Sequence, residues 1–310
     1  MRILITGSNG ILGSALIKQL GARHEVMGLG RGVNRHMGVP YFTCDITDKD
    51  ALADALTQSR PDWMVHAAAM TQVDRCEKDP PAAFKINAEG AGHAADLAAL
   101  LKIKALLIST DYVFDGRKRA PYTEEDPPQP INVYGKSKRS AEERWLRALK
   151  SGIVFRTSWL FGSGGNNFIL KIAEGLRRDG QVGVVTDEWG SPTCARDAAR
   201  AIDHLLATVQ TRGPDKFLTI HYCNQGAVSR YEWARFVARC LGYPAGAVYP
   251  IRADESGRAA RRPSYSVLDP GAWRKKFKDE PRDIWSATSA YLEEEVKDGS
   301  LQASFKAHQG

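Results

Sequence analysis

The sequence has little of what disulfide-rich or zinc-binding proteins need. Its seven histidines form no H-x-x-x-H pair, and none of its five cysteines belongs to a C-x-x-C pair. The cysteines lie far apart, at Cys44, Cys76, Cys194, Cys223 and Cys240. An odd, scattered set is typical of a reducing compartment and argues against both a disulfide framework and a zinc site. We therefore expect free thiols and no metal site built from these residues.

Long hydrophobic runs are also missing. No apolar segment approaches the roughly 20 residues that a membrane-spanning helix requires. Residues 1–7 lead directly into an expected strand and a glycine turn, without a basic stretch followed by an apolar core and a cleavage site. The sequence therefore predicts a soluble, cytoplasmic protein that has no secretory signal and no membrane partner.

Positive charge exceeds negative charge, with a formal net charge of +7 and a pI near 9.1. The charge is dispersed, with a modest excess over 252–282, and no zinc-finger, RNP-type or recognition-helix pattern accompanies it. A nucleic-acid partner is therefore not expected. Two interpretations stay open: a site that receives phosphorylated small molecules, such as dinucleotides and nucleotide-sugars, or an incidental basic surface.

The first half of the chain alternates short apolar runs with amphipathic segments. The expected strands are 3–6, 24–29, 41–43, 64–67, 105–109 and 153–156, and the expected helices are 11–21, 48–58, 81–101 and 134–149. Alternation at this spacing predicts an α/β fold of the Rossmann type, a doubly wound parallel sheet with helices on both faces. Binding sites in such sheets lie at the carboxyl ends of the strands.

The second half is less regular and predicts a smaller, mixed C-terminal domain. Helices are expected at 197–208 and 229–241, the latter started by Ser229, with a strand end at 221–223 and irregular loops over 244–281. We assign residues 1–165 and about 193–228 to the sheet domain, about 166–192 and 229–300 to the second domain, and 301–310 to a tail.

A glycine-rich turn follows the first expected strand and opens the first expected helix. Its spacing is G-x-x-G-x-x-G, and it comprises Gly7, Asn9, Gly10, Ile11, Leu12 and Gly13. Such glycines allow a tight turn, a close approach of backbone to a pyrophosphate and tight packing of helix on strand. Free N–H groups at the helix start then favour the phosphates. The turn predicts a dinucleotide cofactor on the sheet domain, and its spacing resembles that of the extended short-chain dehydrogenases.

The end of the second expected strand bears on the choice of cofactor. An acidic residue at this place holds the ribose 2′-hydroxyl of NAD, but this chain has Gly30 and Arg31 there. Because an arginine can pair with a 2′-phosphate, we expect NADPH, with NADH also accepted. The alternative is an ordinary exposed arginine. In similar enzymes the adenine and the dinucleotide backbone are flanked by the positions of Asp45, Ile46, Ala67, Ala68 and Ala69.

A tyrosine and a lysine lie four residues apart at the start of the expected helix 134–149. Tyr134 and Lys138 would project from one face of that helix, and Thr110 ends the strand before it. Hydride addition to a ketone places negative charge on oxygen, which a phenol quenches by proton transfer. Because free tyrosine has a pKa of about 10, a neighbouring cation must lower it.

We therefore predict three catalytic roles. Tyr134 donates the proton, Lys138 lowers its pKa and holds the nicotinamide ribose, and Thr110 orients the carbonyl. Asn87, inside the expected helix 81–101, is either a further support of the cofactor site or an ordinary helix residue.

Several longer blocks resemble the dTDP-4-dehydrorhamnose reductase family of the extended short-chain dehydrogenases. They are S-T-D-Y-V-F-D-G at 109–116, N-V-Y-G-K-S-K at 132–138, R-T-S-W-L-F-G at 156–162, G-N-N-F at 165–168, D-E-W-G-S-P-T at 187–193 and R-P at 262–263. The blocks keep their order and cover nearly the whole chain except the tail. The resemblance implies reduction of the 4-keto group of dTDP-4-dehydro-L-rhamnose by NAD(P)H, with the second domain binding the nucleotide-sugar.

The resemblance also implies a set of substrate contacts beyond the catalytic trio. They are Thr71, Val73, Asp111, Trp159, Asn166, Asn167 and Arg262, the last as a partner of the diphosphate. The ring of Trp159 would cover the apolar face of a deoxysugar, although a core tryptophan is the alternative. Some members dimerise through a Mg2+ ion held by glutamates. Those positions have no match here, so a homodimer and a requirement for Mg2+ stay open.

Other functions share these motifs. A different nucleotide-sugar reductase or epimerase would carry all of them, and a regulatory subunit of methionine adenosyltransferase, which is not catalytic, resembles the family and binds NADP. The presence of Thr110, Tyr134 and Lys138 favours an enzyme. A nucleic-acid-binding module has the least support.

Overall fold

The computed structural model describes residues 1–212 and 218–297. In that part the strands are β1 (Arg2–Thr6), β2 (Glu25–Gly30), β3 (Tyr41–Thr43), β4 (Trp63–His66), β5 (Lys104–Thr110), β6 (Ile153–Thr157), β7 (Leu160–Phe161), β8 (Val182–Val185), β9 (Trp189–Gly190), β10 (Thr193–Cys194), β11 (Leu218–His221), β12 (Val228–Ser229) and β13 (Val248–Ile251). The helices are α1 (Ile11–Gly21), α2 (Lys49–Ser59), α3 (Val73–Lys78), α4 (Pro80–Phe84), α5 (Gly90–Leu101), α6 (Val133–Ala148), α7 (Phe168–Asp179), α8 (Ala195–Arg212), α9 (Arg230–Cys240), α10 (Gly271–Phe277) and α11 (Ile284–Lys297). The expected tail 301–310 lies outside the described residues.

Seven parallel strands form the central sheet, in the order β11-β6-β5-β4-β1-β2-β3. The chain winds outward from β1 through β2 and β3, then returns to β4 and winds the other way, which is the doubly wound arrangement. The predicted fold class is confirmed. Because the strands are parallel, the ends of β1, β4 and β5 meet at one edge of the sheet, which brings residues 7–13, 67–69 and 110–112 into one region.

The sheet is buried on both faces, as its continuous apolar strands require. Ile3 and Ile5 pack in the core under α1 and α8, whereas Leu4 between them packs in the core under α2, α5 and α6. All three side chains are fully buried. Trp145 of α6 belongs to the second of these cores, which ties the helix with the predicted catalytic pair firmly to the sheet.

A third core lies in the C-terminal half. It surrounds the parallel pair β8–β13 and is built mainly by α7, α9 and α11, with Trp233 and Tyr291 buried at its centre. The predicted start of the 229–241 helix is confirmed. Ser229 caps α9 by accepting from the Glu232 amide at 3.1 Å, and the Glu232 carboxylate accepts from the Ser229 amide at 3.0 Å.

Two expectations were wrong in detail. The expected helix 81–101 is broken into α4 and α5 by a π-helical turn at Lys85–Glu89. The expected loops over 244–281 contain β13 and α10, because prolines stand where they are tolerated. Pro250 lies in a two-stranded pair, and Pro270 directly precedes the first turn of α10. Within residues 1–212 and 218–297, none of the helices has both the length and the apolar composition of a membrane span.

Candidate active site

The glycine turn joins β1 to α1 and lies against the loop after β4. Gly7 has φ +70°, and its N–H donates to the Leu29 carbonyl at 2.7 Å. A Cβ on Gly7 would lie 2.8 Å from the Ala68 Cα, and one on Gly13 would overlap the Gly7 carbonyl oxygen. These two positions therefore accept only glycine without a shift of backbone, because other parts of the backbone pack directly against them. The expected approach of this turn to a pyrophosphate stays a prediction.

The start of α1 offers its N–H groups to an anion. Gly10 is the N-cap, and no side chain of the described residues caps the first turn, formed by Ile11, Leu12 and Gly13. The Ser8 hydroxyl beside it is buried and has no hydrogen-bond partner in the described part of the chain. An uncapped helix start next to a close-packed glycine turn fits the pyrophosphate of a dinucleotide. The residues present are thus compatible with the predicted cofactor.

Asn9 organises the loop that follows β2. Its amide donates to the Val33 carbonyl at 2.9 Å and to the Tyr41 hydroxyl at 3.2 Å, and its oxygen accepts from the Arg35 amide at 3.2 Å. All of these contacts lie within the protein. The structure therefore gives Asn9 a role in shaping the edge of the cofactor region, and a direct cofactor contact stays a prediction.

Arg31 directly follows β2, with its side chain 71% exposed and its guanidinium 3.8 Å from the Asp45 carboxylate. Partial burial opposes ionisation of Asp45, but hydrogen bonds from Thr47 and the charge of Arg31 outweigh it and lower the pKa. Ile46 is buried, and a Cβ on Gly90 would come within 2.9 Å of its side chain, so it packs on the start of α5.

The alanines after β4 pack on the glycine turn. The Ala67 and Ala68 amides donate to the carbonyl and the hydroxyl oxygen of Thr6, both at 3.2 Å. Since Thr6 ends β1, this pair of bonds fixes 67–69 beside residues 7–10. The same hydroxyl contacts Nδ1 of the buried His66 at 3.0 Å.

Asn87 fastens the loop after β4 to the helix of the predicted catalytic pair. Its carboxamide accepts from the Met70 amide at 2.7 Å and donates to the Met70 carbonyl at 3.1 Å and to the Ser137 hydroxyl at 2.9 Å. The residue is 1% exposed and lies in the π-helical turn. These contacts describe a clamp inside the protein. The predicted support of the cofactor site would therefore act through Met70 and Ser137.

The start of α6 is set by two residues beside Tyr134. Asn132 caps the helix by accepting from the Gly135 amide at 2.8 Å, and its amide group donates to the Arg261 carbonyl at 2.9 Å. A Cβ on Gly135 would overlap the Tyr112 carbonyl oxygen, so this turn lies directly on the segment after β5. The ring of Tyr112 meets that of Tyr134 edge to face, with centroids 5.9 Å apart.

Thr110 and Tyr134 come together at this edge, as the sequence predicted for two members of the trio. Thr110 ends β5, and its hydroxyl interacts with that of Tyr134. Burial raises the pKa of Tyr134 well above its usual value, and the Thr110 hydroxyl is the largest influence that opposes the rise. The direction differs from the predicted lowering, because burial outweighs every favourable neighbour.

Lys138 lies one turn further along α6 and is 3% exposed. Its ammonium donates to the Ile108 carbonyl of β5 at 2.8 Å. Burial lowers the pKa of Lys138 to about 8, and the Glu142 carboxylate opposes this fall. The lysine therefore lies beside the same strand as Thr110 but is directed at its backbone, so the predicted effect on Tyr134 stays a prediction.

Asp111 lies deepest among the expected substrate contacts. Its carboxylate accepts from the Thr110 hydroxyl at 3.0 Å and from the Ser266 hydroxyl at 2.6 Å. Burial raises the pKa of Asp111 to about 6, although both hydroxyls oppose the rise. A carboxyl group that titrates close to neutral pH is thus hydrogen-bonded to the residue expected to orient the carbonyl.

Two of the expected contacts are engaged inside the fold. Asn167 caps α7 by accepting from the Leu170 amide at 3.2 Å, and it donates to the Gly162 carbonyl and the Tyr291 hydroxyl, each at 3.0 Å. Arg262 forms a bidentate pair with Asp74, both contacts at 2.6 Å. Their predicted roles as ligands of the sugar and the diphosphate would require them to leave these partners.

The other expected contacts differ in exposure. Thr71 and Asn166 are exposed, and Val73 begins α3 in a partly buried position. Trp159 has φ +43° and lies under the guanidinium of Arg230, whose central carbon is 3.4 Å from the centroid of the indole ring. Trp159 is therefore only partly buried, and one face of its ring is covered by Arg230.

Comparisons with known proteins show which family the chain belongs to. A family model described as the RmlD substrate binding domain matches residues 1–296. The chain belongs to this family. A dTDP-4-dehydrorhamnose reductase from Streptomyces griseus is 37% identical over 288 residues, covering 92% of this chain and 91% of its own. The predicted resemblance to a family of NAD(P)-dependent oxidoreductases is confirmed.

Two further relatives bear on substrate and cofactor. A probable dTDP-4,6-dihydroxy-2-methyloxan-3-one 4-ketoreductase from Streptomyces antibioticus is 37% identical over 276 residues, covering 88% of each chain. The crystal structure of the dTDP-4-dehydrorhamnose reductase from Bacillus anthracis, in complex with NADP, is similar with a TM-score of 0.85 and 31% identity. It covers 94% of this chain and 99% of that one.

Sequence reasoning missed a group of charged residues beside the candidate site. Arg230 and Glu188 influence the pKa of Tyr112, which follows Asp111. Glu188 pairs with Arg258, whereas Arg230 stacks on Trp159. Arg230 lies in the unremarkable run S-R-Y-E-W, where only the capping signal of Ser229 and Glu232 could be identified. An arginine as the first residue of a capped helix was the one available signal, because cations are disfavoured there.

Proposed function

We propose that the protein is an NADPH-dependent dTDP-4-keto-sugar reductase that converts dTDP-4-dehydro-L-rhamnose to dTDP-L-rhamnose. The observation that carries the proposal is the meeting of the Thr110 and Tyr134 hydroxyls at the sheet edge that also holds the glycine turn. Family membership supports the reaction class, and the relative from Streptomyces griseus supports the sugar.

The residues at this edge suit proton transfer to a ketone. When bound, NADPH would supply the hydride, and the phenol of Tyr134 would give its proton to the developing alkoxide oxygen. The high pKa of Tyr134 keeps that proton in place before the reaction. Since the Thr110 hydroxyl now donates to Asp111, it would have to rotate toward the substrate oxygen to orient the carbonyl. The ammonium of Lys138 would favour the phenolate that remains.

The preference for NADPH rests on Arg31. Its contact with Asp45 is long, at 3.8 Å, and both side chains are well exposed, so the pair contributes little. A 2′-phosphate, which carries more charge and more acceptor oxygens, would displace it readily. We also propose that the division holds as expected, with residues 1–165 and about 193–228 binding the cofactor and about 166–192 and 229–300 binding the nucleotide-sugar.

The test is turnover of dTDP-4-dehydro-L-rhamnose by the purified protein, followed by the loss of NADPH absorbance. Tyr134→Phe should lower kcat by about 100-fold or more and leave the affinity for NADPH within about twofold. Tyr249→Phe, at an exposed tyrosine outside the site, is the matched control. Near-normal turnover by Tyr134→Phe would remove the proposed proton donor.

A second substrate is favoured by one observation, the similarity to the ketoreductase from Streptomyces antibioticus. A folded protein that is inactive on dTDP-4-dehydro-L-rhamnose but reduces another dTDP-4-keto-6-deoxysugar would move the assignment to that sugar. Inactivity on every dTDP-4-keto sugar, with NADPH bound, would favour the non-catalytic alternative.

A further inference from the structure

Arg230 is the first residue of α9, and it reaches the region beside Thr110. The centre of its guanidinium lies 3.4 Å from the centroid of the Trp159 ring and 4.9 Å from that of Phe168. It interacts with the Tyr112 hydroxyl, and the charges of Asp111 and Glu188 also act on it. The residue thus lies between the segment that ends β5 and the core of the C-terminal half.

This position is electrostatically costly for a cation. Burial lowers the pKa of Arg230, which shows that its surroundings disfavour the charge. A positive side chain in the first turn of a helix also interacts unfavourably with the positive end of the helix dipole. Trp159 below it has φ +43°, a conformation that bulky residues rarely adopt. Neither feature improves the stability of the fold, which suggests a functional reason for both.

Among the described residues, the guanidinium of Arg230 has no bonded counter-ion. Among residues 1–212 and 218–297, no carboxylate oxygen lies within 4.0 Å of it, although an arginine carries five N–H donors. Tyr112 is a neutral phenol, because burial raises its pKa to about 12. The two neighbouring guanidinium groups differ, since Arg258 is paired with Glu188 and Arg262 with Asp74.

We propose that Arg230, held flat on Trp159, binds the diphosphate of the nucleotide-sugar. This inference rests on the proposed function, since the ligand is the nucleotide part of that substrate. A stacked guanidinium presents its donors in a fixed plane, which suits bidentate contact with phosphate oxygens. The phosphate would place a negative charge in direct contact with the guanidinium, which Asp111 and Glu188 do not. Arg262, which the sequence suggested for this role, would stay paired with Asp74.

The experiment is calorimetric titration of dTDP into the protein saturated with NADP. Arg230→Gln should weaken dTDP binding at least about tenfold, and Arg230→Lys should weaken it less, because the charge remains while the planar stack is lost. Arg235→Gln, at an exposed arginine of the same helix, is the matched control and should leave dTDP binding unchanged. The affinity for NADPH should be unchanged in all three variants.

Thermal unfolding provides the readout that separates binding from structure. Arg230→Gln should melt at nearly the same temperature, because losing the stack on Trp159 offsets the removal of a cation from the helix start. Undiminished dTDP binding by Arg230→Gln overturns the proposal. Failure of the unaltered protein to bind dTDP also overturns it. So does a variant Arg230→Gln that binds dTDP normally but binds dTDP-L-rhamnose less tightly, because the arginine would then contact the sugar.

The outcome is distinguishable from that of the proposed reaction. Arg230-dependent binding of dTDP without turnover of any dTDP-4-keto sugar would retain the diphosphate site and refute the reductase. Turnover of a dTDP-4-keto sugar, with dTDP binding unchanged by Arg230→Gln, would retain the reductase and refute the diphosphate site.

Discussion

Raising the pH above 8 removes the proton from Lys138, and we expect reductase activity to fall with it. Lys138 is 3% exposed, and burial lowers its pKa from 10.5 to about 8 against the opposing charge of Glu142. If the charged form is required, kcat/KM falls tenfold per pH unit above this value. About one tenth of the activity should therefore remain at about pH 9.

The fold should survive the same change. Because the pKa of Lys138 is lower in the folded than in the unfolded chain, its charge destabilises the fold below pH 8, and this cost is relieved between 8 and 10.5. The relief at about pH 9 is about 1.4 kcal/mol. Burial raises the pKa values of Cys44, Cys76 and Cys223 to about 11, 11 and 12 from 9.0. The neutral form of each buried thiol stabilises the fold below pH 9.0. At about pH 9 each thiol contributes about 0.4 kcal/mol less to the free energy of unfolding.

The two effects nearly cancel, so the loss of activity should occur without unfolding. The assay measures kcat/KM with NADPH from about pH 6 to about pH 10. Urea denaturation below and above the pH at which activity falls measures the stability of the fold. Lys138→Arg should be slower but should lack the fall above pH 8, because arginine stays charged. Lys136→Ala, an exposed neighbour on α6, should keep it. Constant activity over the whole range, or a fall that persists in Lys138→Arg, would refute the reasoning.

Three further outcomes are expected. Arg31→Ala should lower the ratio of NADPH to NADH turnover by about tenfold, by loss of a charged phosphate contact, and an unchanged ratio excludes Arg31 from cofactor choice. Asn87→Ala should lower the free energy of unfolding, measured by urea denaturation, by roughly 3 kcal/mol, because the Met70 amide and carbonyl lose their buried partner. A decrease of less than about 1 kcal/mol would contradict the role of Asn87 as a clamp. Burial lowers the pKa values of His66 and His221 to about 3 from 6.5, so the stability of their neutral forms is present above pH 6.5 and is lost as the pH falls toward 3. At about pH 5 each histidine lowers the free energy of unfolding by about 2 kcal/mol, and Asp111, whose pKa is raised, offsets this by about 1.3 kcal/mol. Urea denaturation should therefore show a net loss of roughly 3 kcal/mol between about pH 7 and about pH 5. An unfolding free energy that does not change over this range would contradict the expectation.

The features that the sequence predicts well are local in the chain. Gly7 and Gly13 lie within one strand–turn–helix unit, and Tyr134 and Lys138 within one helix. Their spacing alone fixes which face or turn they share, so the glycine turn and the start of α6 could be identified without coordinates. The doubly wound parallel arrangement follows from the alternation of strands and helices along the chain, because β-α-β units of this kind have few permitted topologies.

The features that the sequence hides depend on distant partners. Asp74 and Arg262 pair across 188 positions, and the Asn87 clamp joins residues 17 and 50 positions away. An arginine in a sequence carries no sign of whether a carboxylate will neutralise it in the fold. Helical periodicity likewise gives no warning of the π-helical turn, which places Asn87 inward where it can reach both Met70 and Ser137.

The position of Arg230 changes what Trp159 can do in the site. An indole ring covered at 3.4 Å by a guanidinium cannot offer that same face to the apolar side of a deoxysugar. A Cβ on Gly190 would overlap the indole ring, so the protein backbone also closes in on it. Under the proposed diphosphate role, the tryptophan that the family resemblance identified would act on the substrate through Arg230. A flat, fixed cation recognises phosphate oxygens and is indifferent to the stereochemistry of a sugar carbon. Discrimination among 4-keto sugars would then depend on the groups around Thr110 and Tyr134.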